Sequence, residues 1–168
     1  MVGLTILHHG LLCAALLAQS DPEDRELQVA GVFHDVGHVQ VPGAAAVHGA
    51  VGATAVATAV APVFGERVAA LIAGHAAAKR YLVTVDESYR GALSGGSRLS
   101  VAAQGETTGV SEVAAFARTT HFEATVRLRR ADEAAKDPAA EVAPLDQWLP
   151  TLSRIAGSSG TGMGMGTV

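Results

Sequence analysis

Two stripes of apolar residues, each containing a histidine, constrain the fold of this chain more than any other feature of its sequence. Both stripes follow the 3.6-residue period of an α-helix. Their members are Leu27, Ala30, Gly31, His34 and His38 in the first, and Val68, Leu71, Ile72, His75 and Lys79 in the second. Because the apolar stripe of a helix faces the core, His34 and His75 are predicted to point into the protein rather than into solvent.

Composition supports a bundle of closely packed helices. Apolar residues make up 49% of the 168 residues but aromatics only 4%, and alanine and leucine are good helix formers. We therefore predict a single all-α domain, a compact bundle of about six to eight helices, over residues 1–156. Residues 157–168, rich in Gly, Ser and Met, have no core-forming pattern and are predicted to be a disordered tail.

Charge and apolar patterning exclude several classes of partner. A net charge of −4 leaves no broad basic face for nucleic acid or an anionic membrane. The apolar run 4–18 lacks a preceding Lys or Arg and contains two histidines, so we do not expect a signal peptide. The uncharged run 43–64 is rich in Ala and Gly and is predicted to be a buried helix rather than a membrane span. A lone cysteine, Cys13, suits a reducing cytoplasm, and the oligomeric state stays open.

Helix boundaries can be predicted from capping and breaking residues. Asp21 is predicted to be an N-cap with Pro22 in the first turn, and the segment after residue 93 is predicted to be loops and turns up to about residue 110. The predicted helices run over about 5–19, from 22 to near 37, 43–61 (ending before Pro62), through the stripe around 68–79, and over 86–93, 111–118, 121–136 and 145–155.

A set of histidines and aspartates points to a metal. His34 and Asp35 are adjacent, so on a helix their side chains diverge by about 100° and both can reach one ion. His9 lies upstream and Asp132 downstream. Imidazole and carboxylate together bind zinc, iron or manganese, and the spacing does not decide among them.

These residues resemble a known family. His9, His34-Asp35 and Asp132 follow the H…HD…D order of the HD-domain superfamily, most of whose members are metal-dependent phosphohydrolases. His48 and His75 resemble the extra ligands of its two-metal branch. Further stretches resemble the mixed-valence di-iron oxygenases that cleave organophosphonates, distant relatives of myo-inositol oxygenase. These stretches are HAAAKRYL (75–82), LSGGS (93–97), QG (104–105) and LRRADEAAK (128–136).

The resemblance, which covers residues 4 to about 156, implies roles for individual residues. One iron would be held by His9, His34 and Asp132 together with Asp35, which would bridge to a second iron completed by His48 and His75. Lys79 would grip the phosphonate, and His38 would orient the substrate or a metal-bound oxygen. Further substrate contacts are implied for Ser97, Gln104 and Arg129. The cofactor would be two iron ions in the Fe(II)/Fe(III) state.

Three functions follow as alternatives. The first is an iron-dependent oxygenase that uses dioxygen to cleave the C–P bond of a small 1-hydroxyphosphonate and release phosphate. The second is an HD-domain phosphohydrolase that acts on a phosphoester with Mn or Mg and needs no oxygen. The third is a non-enzymatic module that keeps a metal for stability, which Ala131 leaves open because it stands where the family's motif usually has tryptophan.

Overall fold

Nine α-helices, one 3₁₀ turn and no strand form in residues 4–39, 48–103 and 108–160, the ranges described by the computed structural model. The helices are α1 (Ile6–Ser20), α2 (Arg25–Phe33), α3 (His48–Phe64), α4 (Glu66–Val85), α5 (Glu87–Ala92), α6 (Gly95–Ala103), α7 (Val110–Ala117), α8 (Phe122–Ala134) and α9 (Leu145–Gly160). The 3₁₀ turn is Val36–Val39. The predicted all-α single-domain fold is confirmed.

Helix α4 lies at the centre of the bundle. It packs against α3 along most of its length and also contacts α8 and α2, while α1 packs against α2 and α8. The core between them contains Leu27, Leu71, Ile72 and Leu128, none of which is exposed to solvent. Each such side chain contributes roughly 1.5–3 kcal/mol on burial, so this core holds α1, α2, α4 and α8 in fixed relation.

Small residues let α1 and α2 approach closely. A Cβ atom on Gly10 would overlap the carbonyl oxygen of Val32, and one on Gly31 would lie 2.9 Å from Leu17 Cδ1. This contact brings the residue before Gly10, His9, next to the end of α2, where His34 is located.

The start of α2 differs from the prediction. Its N-cap is Asp24, whose side chain accepts a hydrogen bond from Leu27 N, and not Asp21. Asp21 instead closes α1, because its backbone N–H donates to Leu17 O. Arg67 on α4 also binds both oxygens of Asp24, and this tertiary contact favours the later start.

Helix α2 also ends earlier than predicted, at Phe33, so His34 and Asp35 lie just after it and His38 belongs to the separate 3₁₀ turn. Gly37 in that turn lies close to the backbone of α3, where a Cβ atom would be 2.8 Å from Gly52 O.

Two further boundaries and one whole helix also differ. Helix α3 continues through Pro62 to Phe64, and α9 continues to Gly160, into the segment predicted to be a tail. Residues 161–168 lie outside the described ranges. Helix α6 forms where loops were predicted and brings the helix number above the expected eight. Its Gly and Ser residues are weak helix formers, but buried Val101 packs with Leu82 and Tyr89 and overrides that preference.

Within the described ranges, no helix combines the length and the apolarity that crossing a bilayer requires.

Candidate metal centre

Four side chains from three parts of the fold converge at one point. His9 comes from α1, His34 and Asp35 from the turn that follows α2, and Asp132 from α8; one ligand atom of each lies within 4.8 Å of the others. Asp132 Oδ1 is 3.2 Å from His9 Nε2 and 3.6 Å from His34 Nε2. Asp35 Oδ2 is 3.4 Å from His9 Nε2. The predicted grouping of these four residues is therefore seen in the fold.

Both histidines of this cluster present an Nε2 atom that makes no hydrogen bond and lies close to a carboxylate. Nδ1 of His9 lies 2.8 Å from Ala135 O, and Nδ1 of His34 lies 2.8 Å from Gly31 O. A carbonyl only accepts, so each Nδ1 carries a proton, and in a neutral imidazole of this tautomer Nε2 carries the lone pair. Both Nε2 atoms are buried without a hydrogen-bond partner. A metal ion fits this donor set, since two buried lone pairs face two carboxylates.

Burial keeps the nearby imidazoles neutral. It lowers the pKa of His34 to about 4 and that of His75 to about 3, because the charged form would lose its hydration. Neutral imidazole is the form that binds a metal.

His75 lies beside the cluster, on the other side of Asp35. Its Nε2 is 3.9 Å from Asp35 Oδ1, its Nδ1 lies 2.6 Å from Ile72 O, and its ring contacts that of His34. The carboxylate of Asp35 therefore lies near three imidazoles, with Oδ2 close to His9 and Oδ1 close to both His34 and His75. His48 begins α3, but its side chain and that of His38 lie outside what the structure describes.

A cavity of about 450 Å³ opens next to Asp35 and His75. Three basic side chains line it, Lys79, Arg129 and Lys136, together with the hydroxyl-bearing side chains of α6 and the residue before it. Those residues are Ser94, Ser97 and Ser100. The cavity therefore suits a small anion beside the cluster of histidines and aspartates.

Lys79 is buried, with only 7% of its surface exposed. Its Nζ donates to Ser100 Oγ at 2.8 Å. Burial, and then the charge of Arg129, lower its pKa to about 8. A cation held in so little water gains strongly from an anionic ligand, which agrees with its predicted role.

Arg129 is held by protein groups on several sides. It donates from Nε to Tyr89 Oη, from one terminal nitrogen to Asp132 Oδ2, and from the other to Ser97 Oγ at 3.2 Å and to Glu133. Arg129 therefore orients a predicted metal ligand and a predicted substrate ligand together. Gln104, the remaining predicted substrate residue, lies outside the described ranges.

Sequence reasoning gave no role to five residues of this site, namely Tyr89, Ser94, Ser100, Glu133 and Lys136. Lys136 Nζ lies 3.3 Å from Asp132 Oδ1. Glu133 and Lys136 follow Arg129 and Asp132 by one helical turn each, so their spacing could have indicated them. Tyr89 and Ser100 carried no such signal, because they come from separate helices.

Comparison with protein-family models gives no match. A hydroxymethylphosphonate dioxygenase from Gimesia maris is 32% identical over 154 residues, which cover 86% of this chain and 74% of that protein. An uncharacterized protein of Acanthamoeba polyphaga mimivirus is 29% identical over 141 residues. That match covers 80% of this chain and 64% of the viral protein, just under two thirds of its length.

Proposed function

Since this chain belongs to the family of the Gimesia maris hydroxymethylphosphonate dioxygenase, we propose that it is an iron-dependent oxygenase of HD-domain type that cleaves small 1-hydroxyphosphonates. The substrate and one O₂ would give a carboxylic acid and phosphate. O₂ takes four electrons from the substrate; one of its oxygen atoms enters the acid and the other the phosphate.

The observation that carries the proposal is the pair of buried, unpartnered Nε2 atoms of His9 and His34 facing Asp35 and Asp132. One iron would be held by these four residues, and a second by Asp35, His75 and His48. Bound iron would supply the redox chemistry and a Lewis acid for the substrate oxygens.

The residues around the cavity would bind and orient the substrate. Lys79 would donate to the phosphonate, which is strongly anionic and suits an ammonium group. Arg129 would keep Asp132 and Ser97 in place through its hydrogen bonds to both. His38 and Gln104 are proposed as further substrate contacts on the family resemblance alone.

Oxygen dependence tests the proposal. Iron-loaded protein with hydroxymethylphosphonate should release one phosphate for each O₂ consumed, and release should stop without oxygen. Low-temperature electron paramagnetic resonance should show a coupled Fe(II)/Fe(III) signal that changes when the phosphonate is added. No phosphate from the phosphonate in the presence of iron and oxygen would contradict the proposal.

A phosphohydrolase is the second candidate. It is favoured by the composition of the tight cluster, which contains His9, His34, Asp35 and Asp132 but not His75. Such a cluster can hold one ion that activates water. Anaerobic cleavage of a phosphoester with manganese, and no reaction with phosphonate and oxygen, would favour this candidate.

A further inference from the structure

Glu133 connects α8, which carries the proposed metal ligand Asp132, to α6, which lines the cavity. Its Oε1 accepts from Ser94 N at 2.7 Å, and its Oε2 accepts from Ser97 Oγ at 2.6 Å and from Arg129. Only 11% of its side chain is exposed. We propose that Glu133 is a positioning residue that orients Arg129 and the start of α6, partly through Ser97, for binding of the phosphonate. This inference rests on the proposed function.

The contacts fix the hydroxyl of Ser97. Its one proton goes to Glu133, and its oxygen accepts from Arg129 at 3.2 Å. A serine hydroxyl has a single proton, so Ser97 cannot donate to an anion while this contact holds. In this arrangement Ser97 links Glu133 to Arg129, and it does not act as a donor to the phosphonate.

The same contacts fix the first turn of α6. Ser94 precedes the helix, and its backbone N–H is held by Glu133. Ser100, one turn beyond Ser97, accepts from Lys79 Nζ. The placement of α6 therefore also affects the position of the Lys79 ammonium group, which is proposed to bind the phosphonate.

An ordinary intrahelical ion pair between Arg129 and Glu133 would explain only one of the contacts that Glu133 makes. Such pairs stabilise a helix by about 0.2–0.5 kcal/mol when exposed. Here the carboxylate is buried and makes two further hydrogen bonds to residues 36 and 39 positions away in the sequence. Those two bonds join separate helices, and loss of either displaces a wall of the cavity.

Glu133→Gln, an isosteric change, tests the inference, with Glu123→Gln as the matched control on the same helix, where the side chain is 85% exposed. An amide has one acceptor oxygen, so Gln cannot keep all three contacts. We expect KM for hydroxymethylphosphonate and Kd for the unreactive probe methylphosphonate to rise about tenfold, the effect of one lost charged hydrogen bond. The kcat should change much less, and the control should match the wild type.

A double-mutant cycle distinguishes action through Ser97 from a general effect of Glu133 on the structure. If Glu133 acts through Ser97, Ser97→Ala and Glu133→Gln should raise Kd for methylphosphonate less than additively when combined. Should Glu133→Gln fail to fold, Glu133→Asp replaces it, since the shorter carboxylate keeps its charge but is drawn back from Ser94 and Ser97. Additive effects overturn the inference.

Different results would contradict the proposed function and the inference about Glu133. If the wild type binds methylphosphonate and cleaves hydroxymethylphosphonate while Glu133→Gln has the same Kd and KM, only the inference is overturned. A fall in kcat alone overturns it as well. If the wild type neither binds the probe nor reacts, the proposed function fails and the inference fails with it.

Discussion

Asp132 places its two carboxylate oxygens in different surroundings. Oδ1 faces His9 and His34, whereas Oδ2 accepts from Arg129. Arg129 in turn is held by Tyr89, so the oxygen that faces the imidazoles cannot rotate away without breaking a buried chain of hydrogen bonds. At the scale of single residues, the site is thus preorganised for a ligand with positive charge.

Replacing one of the paired histidines should remove metal. His34→Ala deletes a buried donor, so we expect the purified variant to lose most of its bound iron, as measured by elemental analysis. His121→Ala is the control, because His121 lines a different cavity on the protein. Wild-type iron content in the His34 variant would contradict the assignment of this residue as a ligand.

Lys79 should affect substrate affinity without affecting metal content. Lys79→Met keeps an unbranched side chain in the buried position but removes the charge. The loss of a charge-assisted contact costs about 1.5–3 kcal/mol, so KM should rise about 10- to 100-fold. Steady-state kinetics on metal-matched samples measure this; an unchanged KM would rule out a direct contact with the phosphonate.

The helical period predicted which residues of the site face the interior, but it did not predict the hydrogen bonds between them. His34, His75 and Lys79 were placed on apolar stripes, and all three are buried. Glu133 lies one turn after Arg129, and this spacing could have indicated their ion pair. Its bonds to Ser94 and Ser97, and the contact of Tyr89 with Arg129, depend on how α5, α6 and α8 meet, and no local pattern encodes that. The tightly clustered ligands were thus predictable, while the groups that orient them were not.

At the scale of helices, the crossing of α1 and α2 depends on glycine. Gly10→Ala would place a methyl group against the Val32 carbonyl, and overpacking of this kind costs about 1–3 kcal/mol. Chemical denaturation should report the loss. Gly91→Ala in α5 is the control, since a methyl group added there would meet no atom of another described element within 4 Å, and it should leave stability equal or slightly higher. Equal changes in stability for Gly10→Ala and Gly91→Ala would show that α1 and α2 can move apart to accommodate the methyl group at no cost.

The ion pair between α2 and α4 should make stability depend on pH. Hydrogen bonds from Arg67 hold the pKa of Asp24 below its ordinary 3.8. A lowered pKa stabilises the fold above 3.8, and this contribution is lost as the pH falls through the lower folded value. Asp24→Asn should therefore cost about 1 kcal/mol at pH 7 and progressively less below pH 3.8.

Urea denaturation at several pH values measures this difference. Arg67→Met should cost more alone, because Arg67 also pairs with Glu26, and in the Asp24→Asn background it should add only the loss of that second contact. A pH-independent difference between wild type and Asp24→Asn would argue against the ion pair.

Helix existence was easier to predict than helix boundaries. The strongly apolar segments that became α1, α3 and α4 were expected, since their burial dominates. The start of α2 and the whole of α6 were not, because Arg67 and Glu133 stabilise them from distant positions in the chain. Side chains that reach across the fold outweigh local propensity at these two places.

At the scale of the whole molecule, the candidate centre joins the first helix to the eighth. His9 and Asp132 lie on α1 and α8, and His34 and Asp35 lie between them. An ion bound to the folded state alone stabilises it by about 2.7 kcal/mol at a concentration one hundred times Kd. We expect iron or manganese to raise the Tm of metal-free protein by several degrees.

Differential scanning calorimetry with and without metal measures this shift. His34→Ala should abolish it, and a chelator should reverse it in the wild type. A Tm that does not respond to metal would mean that no ion links these helices in the folded protein.

His34 and His75 each place Nδ1 against the carbonyl three residues earlier in the chain, Gly31 O and Ile72 O. A carbonyl has two lone pairs, so it can serve the helix and the imidazole together. The tautomer of such a histidine is therefore fixed by a carbonyl of its own helical segment and not by a residue from another part of the fold. A single substitution to histidine at an inward-facing position of such a helix can therefore add an imidazole of defined tautomer to ligands that are already in place, with no second mutation needed to orient it.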